Sequence, residues 1–237
     1  MTSVSVNNTN YNYNMDQINE SLENTNNCTE LPIKIVDYLY LGSYANILQK
    51  YPQNNNIGCI INVASECSYT VDDVLDDKLI DANTITKINY FKYDLHDDSN
   101  QNIFMYFNEI VEIIDEYIRR KIGVFVHCYA GKSRSASFII AYLVKKLNMS
   151  LSCAYDFISV KRDIYPNVSF VEQLMKYERF THDLTKSTFD FDKYVIDMIY
   201  NIFVRQKGHW DKSTIKKVYE SNDKSYMETI KCLTKLS

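Results

Sequence analysis

The residues Val126-His127-Cys128-Tyr129-Ala130-Gly131-Lys132-Ser133-Arg134-Ser135 carry the chemistry legible in this chain. They have the form His-Cys-x5-Arg-Ser, with an apolar run before them (Ile122 to Val126) and a helix-like run after them (Ser135 to Leu147). A cysteine at the end of a strand, a small-residue loop and an arginine at the mouth of a helix suit a phosphate dianion. The backbone N–H groups of such a loop point inward and the helix N-terminus adds positive potential. Arg134 can grip two oxygens with its planar fork. The same potential favours the thiolate of Cys128, the form that attacks. A thiolate at the floor of a phosphate-sized pocket implies phosphate-ester hydrolysis through a cysteinyl-phosphate intermediate. A lone buried Cys is usually an inert small apolar residue, and a His-Cys pair can be a fragment of a metal site. Neither reading accounts for Gly131, Arg134 and Ser135 at these spacings, and the chain has no Cys-x2-Cys or His-x3-His partner set.

The loop, with its Ala-Gly-x-Ser-Arg-Ser form, resembles that of the dual-specificity protein phosphatases, a branch of the cysteine-dependent tyrosine phosphatase superfamily. The likeness extends to Tyr38-Leu39-Tyr40-Leu41-Gly42-Ser43, to Ile60-Ile61-Asn62-Val63, and to Lys161-Arg162 with the segment from Pro166-Asn167 to Leu174. It covers about residues 31 to 182. The resemblance implies Cys128 as nucleophile, the loop Tyr129, Ala130, Gly131, Lys132, Ser133 and Arg134 as the phosphate cradle, and no metal or other cofactor. It also implies an Asp on an upstream loop as general acid, because a Ser or Thr alkoxide leaves poorly without a proton. In His96-Asp97-Asp98-Ser99-Asn100-Gln101-Asn102, Asp97 falls at that position, 31 residues before Cys128 (128 − 97). Asp98 is the alternative, and it suits a helix-capping role better. Ser135 is expected to hydrogen-bond the Cys128 sulfur and help it leave in the second step. His127 is expected to be structural, and Asn167 to support the loop. Lys132 either faces solvent or adds charge toward the substrate. Relatives that act on inositol lipids carry a second Lys directly after the nucleophile, where this chain has Tyr129.

The elements that must position these groups follow from pattern. The expected fold class is α/β: a central, mostly parallel twisted sheet flanked by helices, tyrosine phosphatase-like, with a C-terminal helical extension. Strands are expected over Ile33 to Leu41, Ile57 to Val63, Ile88 to Leu95 and the run into Cys128. Phe104, Phe107, Val111, Ile114 and Ile118 trace one face of a helix between Ile103 and Arg120. Ser150 is the expected N-cap of a helix reaching Lys161, and Ser169-x-x-Glu172 a capping box opening a helix to His182. Three regions result: an Asn-rich, disordered 1–30, a catalytic domain over 31–182 and a helical extension over 183–237. In the extension, helices are expected from Phe189 to Val204 and from Lys212 to Leu236. Ser68 to Lys87 is acidic and reads as a solvated loop.

The bulk numbers bound the rest. The chain has 237 residues, 46% of them hydrophobic, enough for one ordinary domain with extensions. A formal net charge of −4 argues against nucleic acid as a partner, since phosphate backbones are bound by basic surfaces. Six scattered Cys read as reduced thiols. Met1-Thr2-Ser3-Val4 lacks the basic start and apolar stretch of a signal peptide, and no run approaches the roughly 18 apolar residues of a membrane span. The expectation is a cytoplasmic or nuclear protein, not secreted, acting on phosphorylated protein. Two competing readings remain: a phosphatase for inositol lipids or another non-protein ester, and a catalytically silent phospho-binding module.

Overall fold

The computed structural model describes residues 31–55, 57–70, 88–205 and 210–236. The Asn-rich residues 1–30 and most of the acidic stretch from 68 to 87 lie outside them. Five strands form one sheet: β1 (Ile33–Val36), β2 (Leu39–Ser43), β3 (Ile57–Asn62), β4 (Asn89–Lys92) and β5 (Gly123–Cys128), in the order β1-β2-β5-β3-β4. β1 and β2 are antiparallel and the other pairs parallel. The single strand expected from Ile33 to Leu41 is therefore a hairpin. Tyr38 takes φ 66°, the chain reverses there, and Ile33 pairs with Leu41. β-branched and aromatic residues on both sides of Asp37-Tyr38 make the two strands read as one.

β3 and β5 are buried at every residue, as central parallel strands covered on both faces must be. Side chains alternate across the sheet. Leu41, Ile61 and Val126 face the main core, which holds Phe107, Ile114, Phe138, Leu143 and Tyr177. These come from α3 (Phe104–Arg119), α4 (Arg134–Lys146) and α6 (Val168–His182). Ile60 and Phe125 face the other side with Ile47 and Ile57, covered by the short helices α1 (Tyr44–Leu48) and α2 (Tyr51–Asn54). α5 (Leu151–Ser159) follows α4, and Ser150 caps it as expected, its hydroxyl accepting from Cys153 N–H.

The C-terminal region forms three helices, α7 (Phe191–Arg205), α8 (Lys212–Ser221) and α9 (Tyr226–Leu236). The helix expected to run unbroken from Lys212 to Leu236 breaks at Asn222-Asp223-Lys224-Ser225. Asp223 and Lys224 adopt φ 51° and 58°, and the Asn222 amide bonds back to the Val218 carbonyl at 2.7 Å. The helices share a core of Val195, Ile199, Phe203, Ile215, Tyr219 and Leu233, with Trp210 and Val168 packed on it. Residues Leu31–Ser237 cluster as one compact unit. Among the described residues no helix is long and apolar enough to cross a membrane.

Candidate active site

β5 lies between β2 and β3, so the carboxyl ends of three parallel strands flank one point. Ser43 pairs with Cys128 and Asn62 with His127. Ligands bind at such a place in open α/β sheets. Cys128 is the last residue of β5 and is 1% exposed. The chain then turns through residues 129–133 into α4.

The loop's carbonyls fix its shape. Cys128 O accepts from His127 Nδ1 and Tyr129 O from Tyr44 N–H. Ala130 O and Gly131 O both accept from Arg162, at 3.2 and 3.0 Å. Lys132 O accepts from Tyr165 N–H, and Ser133 O from Ser137. Each carbonyl from 128 to 133 thus has a partner, four of them on other segments of the chain, an arrangement that leaves the peptide N–H groups free to face the cysteine. Gly131 N–H already points at Cys128 Sγ, 3.3 Å away. Gly131 has φ +73°, and a Cβ there would stand 2.5 Å from the Gly42 carbonyl oxygen, so only glycine fits. Ser135 donates its hydroxyl to Cys128 Sγ at 3.2 Å. The arrangement is an anion nest at the start of a 13-residue helix, with a sulfur inside it.

Arg134 is buried, and three of its five N–H groups are engaged. Nη1 donates to Glu66 Oε2 at 2.7 Å and to the Leu95 carbonyl at 2.9 Å. Nη2 donates to Glu66 Oε1 at 2.5 Å. Glu66 thus takes the end of the guanidinium and leaves the Nε/Nη2 edge, which matches two oxygens of an oxyanion. Among the described residues, Arg134 Nε is the one buried side-chain nitrogen or oxygen without a hydrogen-bond partner. Burial pushes the Glu66 carboxyl up, but the Arg134 bonds and charge outweigh it and hold Glu66 below the usual carboxylate range.

Asp97 lies at the same point. Its Oδ2 is 3.5 Å from Arg134 Nε, too far for a hydrogen bond, and its Oδ1 accepts from the Ser133 hydroxyl at 2.8 Å. Burial raises its pKa more than Arg134 and Ser133 lower it, and the Glu66 charge adds to the rise. Asp97 therefore holds a proton better than an exposed aspartate. Asp98 is a turn cap, its Oδ1 accepting from Asn100 and Gln101 N–H at 2.7 and 3.0 Å.

His127 is wholly buried. Its Nδ1 bonds the Cys128 carbonyl, which assigns the proton to Nδ1 and leaves Nε2 to accept from Tyr69 Oη at 2.6 Å. Burial lowers its pKa to about 4. Asn167 donates its backbone N–H to Ser133 Oγ at 3.1 Å, while its side chain accepts from Ser169 N–H and caps α6. The α6 cap is thus Asn167, not Ser169. Lys132 leans on Asp163 at 3.7 Å, its side chain 20% exposed, and Tyr129 is exposed at the rim.

Three residues here carry no signal of their own in the sequence. Glu66 follows β3 as an ordinary loop acid; its partner is 68 positions away. Arg162 was legible only as part of a similar segment. Gln173 of α6 accepts from Ile103 and Phe104 N–H, both at 2.8 Å. It caps α3 beside the Asn102 side chain, which also accepts from Phe104 N–H, and anchors the Asp97 loop where Ile103 has no capping side chain.

The dual specificity phosphatase catalytic-domain profile matches residues 39–180. Human dual specificity protein phosphatase 7 is 36% identical over 154 residues, 62% of this chain and 33% of that protein. Human dual specificity protein phosphatase 6 is 32% identical over 161 residues, 65% of this chain and 38% of that protein. The match thus spans about a third of these relatives' length. The solved structure of human DUSP28 superposes with TM-score 0.55 at 20% identity, covering 64% of this chain and 95% of that one. The human tyrosine phosphatase-like serine/threonine/tyrosine-interacting protein superposes with TM-score 0.52 at 28% identity, covering 63% and 96%. With the profile spanning more than half of the sequence, the chain belongs to the dual specificity phosphatase catalytic-domain family.

Proposed function

We propose that the chain hydrolyses phosphotyrosine and phosphoserine/threonine esters of proteins through a phosphate bound to Cys128. The observation that carries this reading is the anchoring of every carbonyl from Cys128 to Ser133, with Gly131 N–H and the Ser135 hydroxyl on the sulfur. In the first step the Cys128 thiolate attacks phosphorus. A P–S bond forms as the ester P–O bond breaks, and Asp97 gives its proton to the departing oxygen. The equatorial oxygens take loop N–H bonds and the Nε/Nη2 edge of Arg134. A phosphate dianion beside Asp97 favours its protonated form further. In the second step ionised Asp97 takes a proton from water, the water oxygen bonds phosphorus, and the P–S bond breaks. Ser135 then stabilises the released thiolate.

A protein substrate fits better than a lipid headgroup. Tyr129 at the rim is aromatic rather than cationic, and Lys132 is engaged with Asp163. The silent-module reading is disfavoured because Cys128, Arg134 and Asp97 converge, the last two at 3.5 Å. A reducing compartment suits a free nucleophile, and the five described cysteines are all unpaired.

The test is turnover by the full-length reduced protein on phosphotyrosine and phosphothreonine peptides and on phosphoinositide vesicles. Peptides are expected to turn over at least about tenfold faster, as one good contact is worth. A preference for vesicles would overturn the protein reading. A folded protein inert on all of them would overturn the enzyme reading.

A further inference from the structure

α7 lies beyond the matched residues 39–180, yet its Tyr194 reaches the active site by an unbroken chain of bonds. The side chain is 6% exposed. Its ring stands edge-on to Tyr155, with centroids 5.7 Å apart, and tilted against Phe189 at 5.6 Å. Its hydroxyl donates to the Pro166 carbonyl. The next residue, Asn167, donates its backbone N–H to Ser133 Oγ at 3.1 Å, and the Ser133 hydroxyl donates to Asp97 Oδ1 at 2.8 Å.

The segment that Tyr194 holds braces the loop at other points. Arg162 takes the Ala130 and Gly131 carbonyls, and Tyr165 N–H takes that of Lys132. The charged groups facing Asp97 are Arg134 on α4 and Glu66 after β3. Neither belongs to the extension. Tyr194 stays neutral, since burial and the neighbouring Tyr155 raise its pKa. The link from the extension to Asp97 therefore runs through the hydrogen bond that Ser133 donates, not through charge.

We infer that Tyr194 is a positioning residue of the acid step: through Pro166 and Asn167 it sets where Asp97 stands relative to the leaving oxygen. This rests on Asp97 as the proton donor, so Asp97→Asn is measured beside Tyr194→Phe in the full chain. Each is assayed on phenyl phosphate, whose leaving group needs a proton, and on p-nitrophenyl phosphate, whose leaving group needs little help. In Tyr194→Phe, turnover on phenyl phosphate is expected to fall about fivefold more than on p-nitrophenyl phosphate, the usual effect of one hydrogen bond. The alkaline limb of the phenyl phosphate profile moves to higher pH, because Ser133, no longer held by Asn167 N–H, stabilises ionised Asp97 less. In a Ser133→Ala background the same change adds little further. An equal loss on both substrates with the limb unmoved would mean that Tyr194 only supports the fold, and would overturn the inference. If Asp97→Asn spares phenyl phosphate, the acid assignment itself fails and the inference falls with it. Should Tyr194→Phe not fold, Phe189→Leu loosens the ring's seat and keeps the hydroxyl; it must show the same substrate bias, and its absence overturns the inference equally.

Discussion

His127 is packed between the Cys128 carbonyl and the Tyr69 hydroxyl, wholly buried, with its pKa pushed down to about 4. It is thus neutral at physiological pH and a poor candidate for a base. Its effect appears in stability. In the unfolded chain the imidazole takes a proton below about 6.5; in the folded protein it resists until about 4. As pH falls between those values the unfolded state binds more protons, and the fold loses on the order of 3 kcal/mol from this group. In urea titrations His127→Gln is expected to be less stable than wild type at pH 7, with the gap closing toward pH 4. A gap constant across that range would contradict a neutral buried His127. At this scale the sequence discloses what the loop holds within a few positions: Cys128, Arg134, Ser135. Glu66, Arg162 and Tyr194 act on the loop from segments that only the fold brings near, so their types alone carried no message.

The loop between β5 and α4 takes its shape from the segments that hydrogen-bond it. Gly42, on β2, is paired in register with His127, so its carbonyl cannot retreat from a side chain at position 131. Gly131→Ala would bring a Cβ to 2.5 Å of that oxygen at φ +73°. It is expected to cost roughly 2 kcal/mol or more of stability. It should also lower kcat/KM at least about a hundredfold, as losing one oxyanion donor does. Urea titration and turnover on p-nitrophenyl phosphate measure the two effects; near-normal turnover would show that the loop's shape is not needed. Elements with strong periodicity were legible: α3 runs from Phe104 to Arg119 and β5 ends at Cys128. Boundaries set by single backbone angles were not. The reversal at Tyr38 and the break at Asp223-Lys224 are left-handed residues inside otherwise continuous patterns, and the α6 cap falls on Asn167, whose side chain accepts from Ser169 N–H.

The whole molecule is mildly acidic, with a net charge of −4, yet the start of α4, with Arg134 on it, offers local positive potential. That potential, not the overall charge, suits it to a phosphate monoester. The mainly parallel sheet was legible in composition and order, since buried strands read as apolar runs. The three-helix extension was legible as helix, but its bond from Tyr194 to Pro166 was not, because that contact has no sequence pattern. The proposed route carries phosphate through Cys128. To test it, the reduced protein is quenched with acid during turnover of p-nitrophenyl phosphate and its peptides are mapped by mass spectrometry. A phosphate adduct on the Cys128 peptide is expected in wild type, more of it in Ser135→Ala, and neither adduct nor turnover in Cys128→Ser. Wild-type turnover by Cys128→Ser, or an adduct on a different residue, would contradict the covalent mechanism.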